Sequence, residues 1–127
     1  MKVLINVKVN RDLKDCGKKL YRGIEEEFPR VLRLLNVKAS LPGESPLCYL
    51  PKEINNLIIL HARICLPNSG CGKSKGPRIV YFVDQKLQEV KVLYVGGHKD
   101  SLYNSHGFVK ELYQRFISQD LYEWIDN

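Results

Sequence analysis

The sequence predicts an α+β fold, ordered β-α-α-β-β-β-α, with a helical hairpin packed on a small antiparallel sheet. Three observations predict it. Val3, Ile5, Val7 and Val9 alternate with polar neighbours at the period of a half-buried strand. Two apolar stripes at helical spacing follow between residues 10 and 35. Three apolar runs separated by turn residues come next, before a last helical stripe. Strands grouped after paired helices, rather than alternating with them, favour segregated layers over a parallel α/β sheet. At 127 residues the chain reads as a single domain over residues 1–127.

Taken in order, the first strand is followed by Asn10, a residue suited to cap a helix whose apolar positions are Leu13, Cys16 and Leu20. Arg22 and Gly23 read as the turn out of that helix. Glu25, Glu26 and Glu27 then fall in the first turn of a second helix, where the dipole favours negative charge. Its stripe is Ile24, Phe28, Val31, Leu32 and Leu35, and Pro29 should kink it or mark a restart. Pro42, Gly43, Pro46 and Pro51 make residues 39–52 a loop without regular structure. The second strand is Leu57–Leu66, with Ile58, Leu60, Ala62 and Ile64 on one side and His61, Arg63 and Cys65 on the other. Arg78–Asp84 and Val90–Val95 form a hairpin around DQKLQE. A helix over 108–119 clusters Phe108, Val109, Leu112, Phe116 and Ile117. Trp124, in the tail, fits either packing on the sheet or an interface.

Charge points to a partner class. The net charge is +6, but its distribution says more. No acidic residue occurs from Ile54 to Val83, a stretch that contains Arg63, Lys73, Lys75 and Arg78. A cationic block interrupted by glycines suits a phosphate backbone. Cys16, Cys48, Cys65 and Cys71 lack zinc-type spacing and read as reduced thiols acting as small apolar side chains. No signal peptide and no apolar run near membrane-helix length is visible, so a cytoplasmic protein is expected.

The segment SGCGKS invites comparison with a nucleotide-binding P-loop, and fails it twice. The pattern ending at Ser74 needs glycine where Pro67 stands, and it needs a helix where Pro77 and the strand RIVYFV follow. Gly70, Gly72 and Gly76 fit an ordinary hairpin loop, but Lys73 and Lys75 at alternate positions, flanked by two strand arginines, stand against that plain reading.

The string RICLPNSGCGKSKGPRIVY, followed by VGGHKDSLY, resembles the RelE/ParE superfamily of type II toxins, and within it the RelE/HigB-like branch. A looser likeness extends back to Asn10 through DLKDCGKKLYRGIEEEF. The β-α-α-β-β-β-α order is also that of the family. The resemblance implies a toxin of a toxin–antitoxin pair, a ribosome-dependent mRNA endoribonuclease that needs no metal or cofactor. Its implied partners are a cognate antitoxin, the ribosome and mRNA, with no membrane involved. By the same resemblance, Arg78 clamps the scissile phosphate, Arg63 stabilises its charge, and Lys99 serves the phosphate or leaving group. Tyr103 orients the nucleophile or moves a proton, and Lys73 and Lys75 grip flanking phosphates.

Two histidines enter on other grounds. His98 is adjacent to Lys99 and has an ordinary pKa near neutrality, so it is a catalytic candidate. His61 shares a strand face with Arg63 and contacts RNA if that face is open. The chain departs from the family's pattern at Lys75, Pro77 and Lys99, and lysine at 99 loses bidentate geometry. Two alternatives follow: a ParE-like toxin that binds gyrase, or a non-catalytic member that only pairs with an antitoxin. For Arg63 and Arg78 the plain alternative is a solvated sheet face.

Overall fold

The structure is a computed structural model that describes residues 2–16, 21, 23–49, 57–66, 76–97, 100–118 and 122–125, the last for backbone only. Leu20, Arg22, Pro51, Pro67, Gly70, Cys71, Gly72, Lys73, Lys75, His98 and Lys99 lie outside them. The described elements are β1 (Lys2–Asn6), α1 (Lys8–Asp15), α2 (Ile24–Lys38), β2 (Ser45–Tyr49), β3 (Ile58–Arg63), β4 (Arg78–Asp84), β5 (Glu89–Gly96), α3 (Phe108–Ile117) and β6 (Tyr122–Ile125). They form an α+β domain around one sheet ordered β2-β3-β4-β5-β1-β6. All pairings are antiparallel except β1 with β5, which run parallel.

Several elements differ from the sequence expectation. The first strand stops at Asn6, so Val7 and Val9 are not strand residues; Val9 turns inward from α1 and is fully buried. Asn10 is interior to α1 and caps nothing. Asn6 does the local work instead, its Oδ1 accepting the Lys8 N–H at 3.0 Å. The helix α2 runs unbroken through Pro29, with no restart. Residues 45–49, expected as loop, form β2 against β3 with an irregularity between Pro46 and Cys48. Proline is tolerated there because β2 is an edge strand, where a missing N–H costs no ladder bond. Regular strand in β3 ends at Arg63 rather than Leu66, and β6 adds an element that the predicted order lacks. The last helix ends at Ile117, with Val109 and Ile117 exposed and Arg115 buried in their place. Cys65 is disulfide-bonded, which corrects the expectation of reduced thiols, whereas Cys16 and Cys48 are free.

The sheet separates two apolar cores. On the α1–α2 side, Ile24 and Leu35 of α2 pack on Val3, Ile5, Ala62, Ile79, Tyr81 and Val92 of the sheet. On the opposite face α3 covers Ile59, Val80, Phe82, Leu93 and Tyr94 with Phe108 and Leu112. Strand alternation thus assigns His61 and Arg63 of β3, and Arg78 of β4, to the α3 side of the sheet. The sequence separated His61 and Arg63 from Leu60 and Ala62 on this strand, and the two cores keep that separation.

The upper half of β5 has no strand neighbour on its β1 side once β1 ends at Asn6, and side chains complete its hydrogen bonds. Asp12 Oδ2 accepts the Val95 N–H, Cys16 Sγ donates to the Val95 carbonyl, and Arg115 Nη1 donates to the Leu93 carbonyl at 2.8 Å. Arg115 also bonds Asp12 at 2.6 Å, and its carbonyl accepts the Asn6 side-chain amide. Burial pushes the Asp12 carboxyl upward despite the opposing pull of Arg115.

Candidate nucleic-acid interface

The site is built where β3 and β4 meet the stems of the basic loop. Arg63 and Arg78 are register partners across β3 and β4, directly opposite one another on one face. Like charges so placed repel and weaken the sheet. An anion lying between them converts the repulsion into two charge-assisted contacts. Arg63 is exposed and Arg78 is partly buried, with its Nε fully covered. The loop's stems stay together beyond β3, because the Ile64 N–H donates to the Pro77 carbonyl at 2.8 Å.

His61 is the next residue on that face of β3, opposite Val80 and diagonal to Arg78. Its pKa is lowered from 6.5, first by burial and then by the Arg78 guanidinium. Its Nδ1 is buried with no hydrogen-bond partner among the described residues. Burial and the neighbouring guanidinium both disfavour a charged ring, so it stays neutral near pH 7.

The end of β5 closes the site from the other side. Gly96 is the register partner of Arg78. A Cβ at Gly97 would come within 3.4 Å of the Gly76 carbonyl and 2.6 Å of the Tyr21 hydroxyl, so glycine lets the backbone after β5 approach the basic loop's exit. Tyr103 packs on the α3 side, its ring stacked on Tyr94 at 6.2 Å and tilted against Phe108 at 5.2 Å.

Of the residues predicted from sequence, Arg63, Arg78 and His61 thus come together, and Tyr103 joins the same side through Tyr94. Lys73, Lys75, His98 and Lys99 lie outside the described residues. Sequence reasoning missed Tyr94, Gly96 and Asp100, which sit within or beside the quoted tail VGGHKD. The paired glycines after an apolar strand were the available signal, since glycine in a strand often marks close approach. Among the described residues no helix is long and apolar enough to cross a membrane, and no three His, Cys, Asp or Glu side chains gather into a set able to hold a metal ion.

No family model and no curated protein sequence matches the chain. Among solved structures it matches a doubly substituted E. coli toxin RelE in the free state, over 91% of this chain and 95% of that one. The identity is 17% and the TM-score 0.42, a degree of likeness that carries no inference about activity.

Proposed function

We propose that this chain is the toxin of a type II toxin–antitoxin pair and cleaves mRNA on the ribosome as a metal-independent endoribonuclease. The observation that carries the reading is the opposition of Arg63 and Arg78 across β3 and β4, with neutral His61 beside them. The motif resemblance over Arg63–Tyr103 supports the same substrate class.

In this reading one RNA phosphate lies between the two guanidiniums. The ribose 2′-OH gives its proton to a base as its oxygen bonds to phosphorus; the P–O5′ bond breaks and the departing oxygen takes up a proton. The products are a 2′,3′-cyclic phosphate and a 5′-hydroxyl. Arg63 and Arg78 offset the charge that builds on the phosphoryl oxygens. The His61 imidazole, held neutral, is able to accept the 2′-OH proton at physiological pH. The two strands and the Gly97–Gly76 approach hold these groups on rigid elements, which limits the reorganisation needed at reaction.

Expression of the chain without its antitoxin should arrest growth and yield mRNA cut within codons. Arrest with intact messages and a DNA-damage response would instead identify a gyrase-directed toxin, and no arrest at all a purely antitoxin-binding protein.

The His61 environment gives a pH prediction. Its folded pKa lies below the unfolded 6.5, so its share of stability is intact above that value and is lost as pH falls through the folded one. Cleavage that uses neutral His61 should stay level as pH drops past 6.5 and decline only as pH falls through the lowered folded pKa. In a single-turnover pH profile, His61→Gln should lower the plateau and erase that acid limb. An unchanged profile in the variant would remove His61 from the proton path.

A further inference from the structure

The tail after β5 is held by a pair, Tyr94 and Asp100, to which neither the resemblance nor the proposed chemistry gives a role. Asp100 follows the Gly96–Gly97 step, and its carboxylate accepts the Tyr94 hydroxyl hydrogen. The same residue organises the turn around itself. Its Oδ1 accepts the Leu102 N–H at 3.1 Å, its N–H donates to the Gly97 carbonyl at 2.8 Å, and its carbonyl accepts the Asn104 side-chain amide at 3.0 Å. Tyr94 is fully buried, and its phenol is pushed well above its usual pKa by burial and by the Asp100 carboxylate. It therefore stays a hydrogen-bond donor around neutral pH.

The place of this pair is specific. A Cβ at Gly96 would overlap the Tyr94 hydroxyl, come within 2.5 Å of its ring Cζ, and lie 2.8 Å from Asp100 Oδ2. The pair thus occupies the space that a side chain at position 96 would fill, and position 96 is the register partner of Arg78. Tyr94 is also the ring on which Tyr103 stacks, with Phe108 edge-on at 4.9 Å and the Arg115 guanidinium 5.6 Å from its centre. One hydroxyl–carboxylate contact therefore fixes both the turn that leads to Tyr103 and the surface against which Tyr103 rests.

We propose that Asp100, clasped by Tyr94 above Gly96, is the positioning residue that sets Tyr103 against the Arg63–Arg78 phosphate site. The inference rests on the ribonuclease reading for its kinetic consequence, but not for its structural one. Asp100→Asn removes the charge that draws the phenol, Tyr94→Phe removes the hydroxyl, and Gly96→Ala displaces both while leaving the two residues themselves unsubstituted. All three should misplace Tyr103 alike.

The test uses the full chain in three measurements: mRNA cleavage on programmed ribosomes, affinity for a 2′-O-methyl oligoribonucleotide, and the 19F signal of fluorotyrosine at Tyr103. Each variant should lose at least tenfold in cleavage rate, keep its affinity within about twofold, and move the Tyr103 signal; a Tyr103→Phe background should show no further loss. A Tyr103 signal unmoved by Asp100→Asn and Tyr94→Phe overturns the positioning role, whether or not the wild type cleaves RNA. Losses of rate and affinity in parallel with melting temperature would also overturn it, since they indicate general loosening. A wild type that cleaves nothing, with the Tyr103 signal still displaced in all three variants, would refute the ribonuclease reading and leave the positioning intact.

Discussion

Arg78→Ala should lower mRNA cleavage by about 10² to 10³, the loss typical when one preorganised charge-stabilising donor is removed. Arg78 begins β4 with Arg63 opposite it on β3 and Gly96 opposite it on β5, so its guanidinium starts from a fixed backbone on both sides. The substitution should not cost stability in proportion. The ladder bonds of β4 are made by its backbone and do not depend on this side chain. A cooperatively folded protein, with growth restored on induction, is the expected pair of results. Arg78→Lys should recover only part of the rate, because an ammonium cannot offer two parallel donors to one phosphate. Cleavage at wild-type rates by a folded Arg78→Ala protein would remove this residue from the chemistry.

The largest stability effect should come from Arg115, which has no part in that chemistry. It is 5% exposed, ion-paired with the nearly buried Asp12, and bonded to the Leu93 carbonyl. It ties α3 and α1 to the half of β5 that β1 leaves uncovered. Arg115→Ala would leave Asp12 charged and buried opposite a cavity, at a cost of about 3–5 kcal/mol. For a domain of this size that corresponds to a fall in melting temperature of roughly 10–20 °C, readable by calorimetry. Because desolvation outweighs the ion pair at Asp12, replacing both partners with apolar residues should be far milder. Arg115→Met with Asp12→Leu should recover most of the loss. A double variant as unstable as Arg115→Ala would show that the bonds to β5, rather than the unpaired charge, set the cost.

Much of the architecture was legible because it follows from periodicity. The alternation of His61 and Arg63 against Leu60, Ala62 and Ile64 placed the arginine on the correct face of β3. The bounds of β4 followed from an apolar run ended by Asp84, whose Oδ1 accepts the Lys86 and Leu87 N–H groups in the turn. What stayed hidden was set by partners distant in sequence. Ser45–Tyr49 contains proline and little apolar pattern, and becomes a strand only because β3 offers it an edge. Val9 has strand propensity, yet it serves α1 because the chain must leave the sheet at Asn6 to cover β5. Arg115 falls on a helical stripe as a charge, and only the exposed carbonyl of Leu93 and the Asp12 carboxylate explain its burial.

The candidate site divided in the same way. Arg63 and Arg78 are fifteen residues apart, and strand pairing alone brings them opposite each other. The motif suggested both. Tyr94 was hidden inside an apolar strand, where its hydroxyl looked incidental, and its partner Asp100 sat among cations as one more charged tail residue. Only the absent side chain of Gly96 shows why the two meet.

The most direct test is a double-mutant cycle on RNA affinity. Wild type, Arg63→Ala, Arg78→Ala and the double variant would be titrated with a 2′-O-methyl oligoribonucleotide that cannot be cut. If both guanidiniums hold one phosphate, the two losses should be non-additive, with a coupling of about 1 kcal/mol or more. Losses that add to within about 0.5 kcal/mol would mean two independent surface charges, and no shared phosphate between β3 and β4.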